Sequence, residues 1–124
     1  MSEALRGVVV SHGGLAAAMV QAVEQISGVT GVLFPVSNTG CDPESIERRL
    51  SEAIGEGPAV VFVDLPSGSC FFAAMRAHKS QAELPVVTGV NLPMLVDFVF
   101  HLAQTPEAAA GRAASAGEKA IKVP

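Results

Sequence analysis

The sequence predicts a three-layer α/β fold: an open sheet of four parallel strands with helices on both faces. Three observations lead there. Short β-branched runs alternate with segments whose apolar residues recur every three or four positions. The strand runs are apolar throughout, as strands covered on both faces are. Glycine- and proline-containing turns separate the segments at a short, regular rhythm, which is the pattern of a parallel sheet.

Taken in order, Gly7 to Val10 reads as the first strand, ended by Gly13 and Gly14. Leu15, Met19, Val23 and Ile26 then recur at helical spacing, and Gly28 closes that segment as a C-terminal cap. Val32-Leu33-Phe34 is the second strand. Asp42-Pro43-Glu44 supplies an N-cap, a first-position proline and an acidic first turn, and Ile46, Leu50 and Ile54 carry the second helix. Ala59 to Val63 is the clearest strand and ends at Asp64, after which Pro66-Ser67-Gly68-Ser69 turns into a helix bearing Phe72 and Met75. Pro85 to Thr88 is a shorter strand, Gly89 to Pro93 a turn, and Met94, Leu95, Phe98, Val99 and Leu102 the buried stripe of a fourth helix. Thr105-Pro106-Glu107 caps an alanine-rich last helix. Ala120 to Val123 reads either as a final edge strand or as the end of that helix.

A chain of 124 residues is one ordinary domain long, so residues 1–124 are read as a single domain. With 49% apolar and 16% charged residues it is too apolar to be disordered. Eight basic against twelve acidic residues give a net charge of −4, with no basic cluster and neither Trp nor Tyr, which argues against nucleic acid and anionic membranes as partners. Mean hydropathy is +0.42, yet the longest apolar stretches, Pro93 to Phe100 and Pro58 to Leu65, fall far short of the roughly 20 residues a membrane span needs. Glu3 and Arg6 flank only three valines before His12, which is no signal peptide, and Cys41 and Cys70 read as free thiols. A cytoplasmic location without membrane insertion is therefore expected.

In open parallel sheets, ligands gather at the carboxyl ends of the strands, so three turns compete for the site. Strand one ends in Ser11-His12-Gly13-Gly14, an imidazole at a helix mouth that attracts anions; the competing role is a surface cap. Strand three ends in Asp64, which either caps its turn or fixes the tautomer of His12 and leaves the other ring nitrogen free as a nucleophile. Ser67 and Ser69, with Gly68 between them, offer hydroxyls and accessible amides to a phosphate. Asn91, after strand four, reads as a helix cap. Neither a dinucleotide fingerprint nor a phosphate-binding P-loop occurs, and no cofactor is expected. The spacing of His12, His78 and His101, without H-x-x-x-H or C-x-x-C, predicts no metal site; His78 and His101 read as structural or solvated.

These residues resemble the mannose-family IIA domain of the bacterial sugar phosphotransferase system. The resemblance is carried by Val9-Val10-Ser11-His12-Gly13, by Val63-Asp64-Leu65 followed by Ser67-Gly68-Ser69, and by Gly89-Val90-Asn91-Leu92-Pro93-Met94-Leu95. It implies a phosphoryl carrier in sugar uptake, which accepts a phosphoryl group from the phosphocarrier protein HPr on His12 and passes it to a IIB partner. In the family pattern Asp64 would orient the ring and Ser69 stands at the phosphate-contacting hydroxyl position; on physical grounds the helix mouth at Gly13 and the turn Ser67, Gly68 and Ser69 would receive the phosphoryl oxygens. The family also implies a homodimer in which a final antiparallel edge strand, here Ala120 to Val123, is exchanged. The chain departs from the family pattern at Ser67-Gly68-Ser69-Cys70, where members show Gly-Gly-Ser-Pro, and at Phe72, where an asparagine usually follows the aromatic.

Three other functions remain open to the sequence. One is a regulatory module that binds partners according to the phosphorylation of His12. The second is a phosphotransferase domain serving a dihydroxyacetone kinase, from which the Asn-Leu-Pro-Met run points away. The third is a small tetrapyrrole chelatase, which would need a second metal-binding histidine at a strand end.

Overall fold

The strands are β1 (Arg6–Ser11), β2 (Leu33–Ser37), β3 (Ala59–Val63) and β4 (Val86–Thr88); the helices are α1 (Leu15–Ser27), α2 (Pro43–Ile54), α3 (Ser69–Ser80), α4 (Leu92–Val99) and α5 (Pro106–Lys119). They are taken from a computed structural model that describes residues 4–81 and 83–124, so Glu3, used above against a signal peptide, lies outside it. The strands pair in the order β2-β1-β3-β4, all parallel. The predicted four-stranded parallel sheet is therefore present, with its helices on both faces.

The period of two along β1 and β3 splits the core into two layers. Val9, Val60 and Phe62 point to one face, against Ala16, Val20 and Val23 of α1, Leu95 and Phe98 of α4, and the alanines of α5. Val8, Val10, Val61 and Val63 point to the other, against Ile46, Leu50 and Ile54 of α2 and Cys70, Ala73 and Ala74 of α3. Both central strands are covered on both faces, and for that reason read as unbroken apolar runs. The first layer is closely packed around Gly7. Phe62 and Phe98 meet edge to face at 5.1 Å, and a side-chain carbon on Gly7 would lie 2.7 Å from Leu33 and 2.9 Å from Phe98.

The helix ends follow the caps. Asp42 accepts from the amide of Ser45 ahead of Pro43, Thr105 accepts from Ala108 ahead of Pro106, and Gly28 ends α1 in the left-handed region at φ 75°. The second strand runs further than its apolar triplet, through Pro35 to Ser37. Proline is tolerated there because β2 is an edge strand, with a side that needs no ladder bond.

Three expectations change. Leu15 and Ile26 are exposed; α1 buries Val23 as expected, but with Ala16 and Val20 beside it. Alanine lets the helix approach the sheet closely, so the buried stripe is rotated from the one that the largest side chains suggest. The fourth helix stops at Val99, which leaves His101 and Leu102 beyond it. Within this chain Ala120 to Val123 adds no strand to the sheet. The last helix runs to Lys119, and the tail leaves Ile121 75% and Val123 97% exposed. Among the described residues, no helix is long and apolar enough to cross a membrane.

Candidate functional site

The strand order places β1 beside β3, and the chain leaves them toward opposite faces, into α1 and α3. Such a switch point opens a crevice at the carboxyl ends of the two strands. Val10 pairs with Val63, so the next residues, Ser11-His12 and Asp64, lie across from each other at its floor. Strand pairing alone thus brings together two residues 52 positions apart in sequence.

Asp64 receives three hydrogen bonds. Its Oδ2 accepts from Nδ1 of His12 at 2.7 Å and from the His12 amide at 3.0 Å, and its Oδ1 accepts from the amide of Leu65 at 2.9 Å. Burial pushes the carboxyl upward, but the His12 amide, the His12 ring and the Leu65 amide outweigh it and hold the group below the usual aspartate range. An ionised carboxylate only accepts, so Nδ1 carries the proton and Nε2 the lone pair. The His12 side chain is 44% exposed and that of Asp64 only 9%. The base of the ring is thus fixed inside, and its free nitrogen faces outward.

A second set of bonds shapes the turn after His12. Ser11 is fully buried, and its Oγ accepts from the amide of Ala16 at 2.7 Å, which makes it the cap of α1 from inside the protein. Asn38 Oδ1 accepts from the amide of Gly13 at 3.1 Å, and Ser37 Oγ donates to the Gly13 carbonyl at 2.7 Å. Gly13 itself adopts φ 60°, a backbone conformation glycine enters without steric cost. The Gly13 amide, expected at a phosphoryl oxygen, is thus engaged by Asn38. Sequence reasoning overlooked Ser11, Ser37 and Asn38. The last two end β2 and follow it, but the apolar triplet places the end of that strand at Phe34, three residues short of Ser37.

Around Nε2 the wall is different. A methyl group on Gly68 would lie 3.8 Å from Nε2, so this glycine, at φ 91°, passes its backbone beside the free nitrogen. It is the N-cap residue of α3, whose amides no side chain caps, and the first internal bond of the helix is Phe72 N–H to the Gly68 carbonyl. The amides of Ser69, Cys70 and Phe71 therefore precede the helical ladder at a positive helix end. Ser67 and Ser69 are exposed on the same turn. A nucleophilic nitrogen here faces an array of donors suited to an anion.

The fourth turn stays out of the crevice. Asn91 accepts from Met94 N–H at 3.0 Å and donates to the Gly117 carbonyl at 3.1 Å, capping α4 and tying it to α5. His78 Nδ1 bonds the Leu84 carbonyl at 2.6 Å, and His101 bonds the Asp97 carbonyl at 2.7 Å and Arg112 at 2.9 Å; both are structural, as expected. The fold does gather donors that linear spacing hides. Cys70 is fully buried, with Sγ 4.0 Å from His12 Nδ1. Burial, and then the Asp64 carboxylate, push its thiol pKa up.

The sequence model of the family described as PTS system fructose IIA component matches residues 7–114. Among solved structures, the chain is similar to the phosphotransferase system component EIIA from Streptococcus agalactiae, at a TM-score of 0.86, 17% identity and 96% coverage of both chains. It is also similar to the mannose/sorbose specific IIA subunit from Enterococcus faecalis, at a TM-score of 0.85 and 21% identity, with all of this chain and 96% of that one covered. A third is the PTS IIA protein associated with the fucose utilization operon of Streptococcus pneumoniae, at a TM-score of 0.72 and 19% identity, covering 98% and 94%. No curated protein sequence matches. At these identities the structural likeness establishes the fold.

Proposed function

Because the chain belongs to the mannose-family IIA components of the sugar phosphotransferase system, we propose that it is a phosphoryl carrier working through a phosphohistidine at His12. Phospho-HPr is the donor and a IIB protein the acceptor, in the cytoplasm. One observation carries this reading: His12 is held through Nδ1 by Asp64 at 2.7 Å, while Nε2 faces the uncapped start of α3 beside Gly68.

In the reaction, the Nε2 lone pair attacks phosphorus as the N–P bond of the donor breaks, and the electrons of that bond return to the donor's ring. The Nδ1 proton stays in place. The positive charge that grows on the His12 ring is balanced by the Asp64 carboxylate, and the phosphoryl oxygens turn toward the amides and hydroxyls of Gly68 and Ser69, with Ser67 at the rim. Passing the group to IIB is the same step in reverse order. No proton need be transferred in either direction, so Asp64 orients and balances charge without acting as a base.

Incubation with phosphoenolpyruvate, enzyme I and HPr, followed by intact mass, tests the proposal. One acid-labile phosphoryl group is expected, and His12→Ala takes none. An unmodified wild-type mass, where a control IIA domain is labelled, removes the reading. Phosphorus NMR should show the Nε2 isomer, and an Nδ1 signal would overturn the assignment of the ring nitrogen.

The carrier is further proposed to be one domain that dimerises by exchanging its tail. The apolar Ile121 and Val123 are exposed and β4, three residues long, is a sheet edge, so each tail would add a strand to the partner's sheet. A monomeric mass in solution would argue against the exchange.

A further inference from the structure

The crevice contains a third donor that phosphoryl transfer does not use. Cys70, in the first turn of α3, stands where the resembling family has proline. One donor atom from each of His12, Asp64 and Cys70 lies within 4.8 Å of the other two. Two of those separations are Nδ1 to Oδ2 at 2.7 Å and Nδ1 to Sγ at 4.0 Å. A tetrahedral zinc with bonds of about 2.0 to 2.3 Å spaces its ligand atoms roughly 3.3 to 3.6 Å apart. The first pair must open, and the second close, by about half an ångström.

The donor types agree with one class of ion. Imidazole, thiolate and one carboxylate oxygen suit zinc and its relatives, whereas magnesium and calcium require oxygen sets. With the thiol deprotonated, the set carries two negative charges, which match a divalent cation. Three protein ligands leave the fourth tetrahedral position for a water, as open zinc sites do.

We propose that His12, Asp64 and Cys70 form a three-ligand site for a thiophilic divalent cation of the zinc type, and that this cation and the phosphoryl group exclude each other at His12. The exclusion follows from the proton count. Metal coordination takes the lone pair of Nδ1, so the single proton of the neutral ring moves to Nε2, and the thiol proton leaves to solvent. Nε2 then has no lone pair with which to attack phosphorus. Binding of the metal stands on the geometry alone; the exclusion rests on the carrier reading.

Cobalt titration of the unphosphorylated full chain is the test. One Co²⁺ per chain is expected, with a thiolate-to-cobalt charge-transfer band in the near ultraviolet that zinc abolishes. Cys70→Ser and Cys70→Ala should each lose the band and weaken zinc binding by at least about tenfold, since loss of even an outer-shell partner costs about that much. Cys41→Ser should keep both, and circular dichroism verifies that each variant is folded. The site is refuted by a wild-type spectrum without the thiolate band, by a band that disappears in Cys41→Ser, or by folded Cys70 variants that bind zinc as wild type does. In the second arm, zinc should block transfer from purified phospho-HPr to wild type and spare Cys70→Ser. If wild type is phosphorylated equally with zinc bound, exclusion fails. If no phosphoryl is taken even without metal, the carrier reading and the exclusion fail together, and the cobalt spectrum still decides the site.

Discussion

The central strands β1 and β3 end side by side and each passes through a short turn into a helix, yet the mouth of α1 is filled and that of α3 is open. At α1, the Ser11 hydroxyl takes the amide of Ala16, Asn38 takes that of Gly13, and Ser37 holds the Gly13 carbonyl. At α3, no side chain caps the helix and Gly68 runs its backbone past Nε2. The difference suits the proposed carrier: a turn bonded from inside would hold the nucleophile still, and a bare facing turn would leave donors free for a group that arrives as an anion.

Substitutions across this pair of turns should therefore separate catalysis from stability. The largest effect is expected from Asp64→Asn, which keeps the shape but removes the charge and lets the ring take its other tautomer. Phosphoryl acceptance should slow by at least about 100-fold while the fold remains, measured by rapid quench against phospho-HPr. An unchanged rate would reduce Asp64 to a cap. Next is Gly68→Ala. At φ 91° a side chain is strained by about 1 to 3 kcal/mol, and the methyl would lie 3.8 Å from Nε2, so a rate loss of roughly tenfold is expected together with a lower melting temperature. If only the melting temperature falls, the open mouth has no part in transfer.

Ser11→Ala tests the filled mouth. It orphans a buried amide and should cost about 1 to 2 kcal/mol of stability in denaturant melts, while the rate at saturating donor stays near wild type. The smallest effect concerns pH. Asp64 is held below the ordinary aspartate pKa, so its contribution is complete above about pH 4 and is lost as the pH falls through its lower folded value. Asp64→Asn should thus lose stability less steeply than wild type below about pH 4. Parallel acid-unfolding curves would show that His12 and the two amides do not favour the ionised form.

The elements that could be read from the sequence are those decided locally. Asp42-Pro43, Thr105-Pro106 and Gly28 act through their own backbone neighbours, and β3 is apolar because both its faces are covered. The buried face of α1 could not be read in this way. Its packing is set by how closely Ala16 lets it approach the sheet, and Leu15 is exposed beside the crevice. In the site, His12 and Asp64 were legible because each ends an apolar run. Ser37 and Asn38 belong to the site only because β2 lies against β1, and strand order is not written in any one segment. Cys70 joins them through the approach of α3, a tertiary fact with no counterpart in the spacing of the cysteines.

Leu15, Leu65 and Phe72 stand on the turns and first helical residues that carry the site, and are 47%, 50% and 61% exposed. They are exposed apolar side chains on the turns and helix starts that carry His12, Asp64 and Gly68. In the carrier reading proposed above, donor and acceptor both have to reach Nε2, so they would use this footprint in turn and form no ternary complex. Turnover in that reading is ping-pong, with each partner expected to inhibit the other's access when in excess. For such a relay the useful affinity is modest, because a partner that lingers there stalls the next exchange.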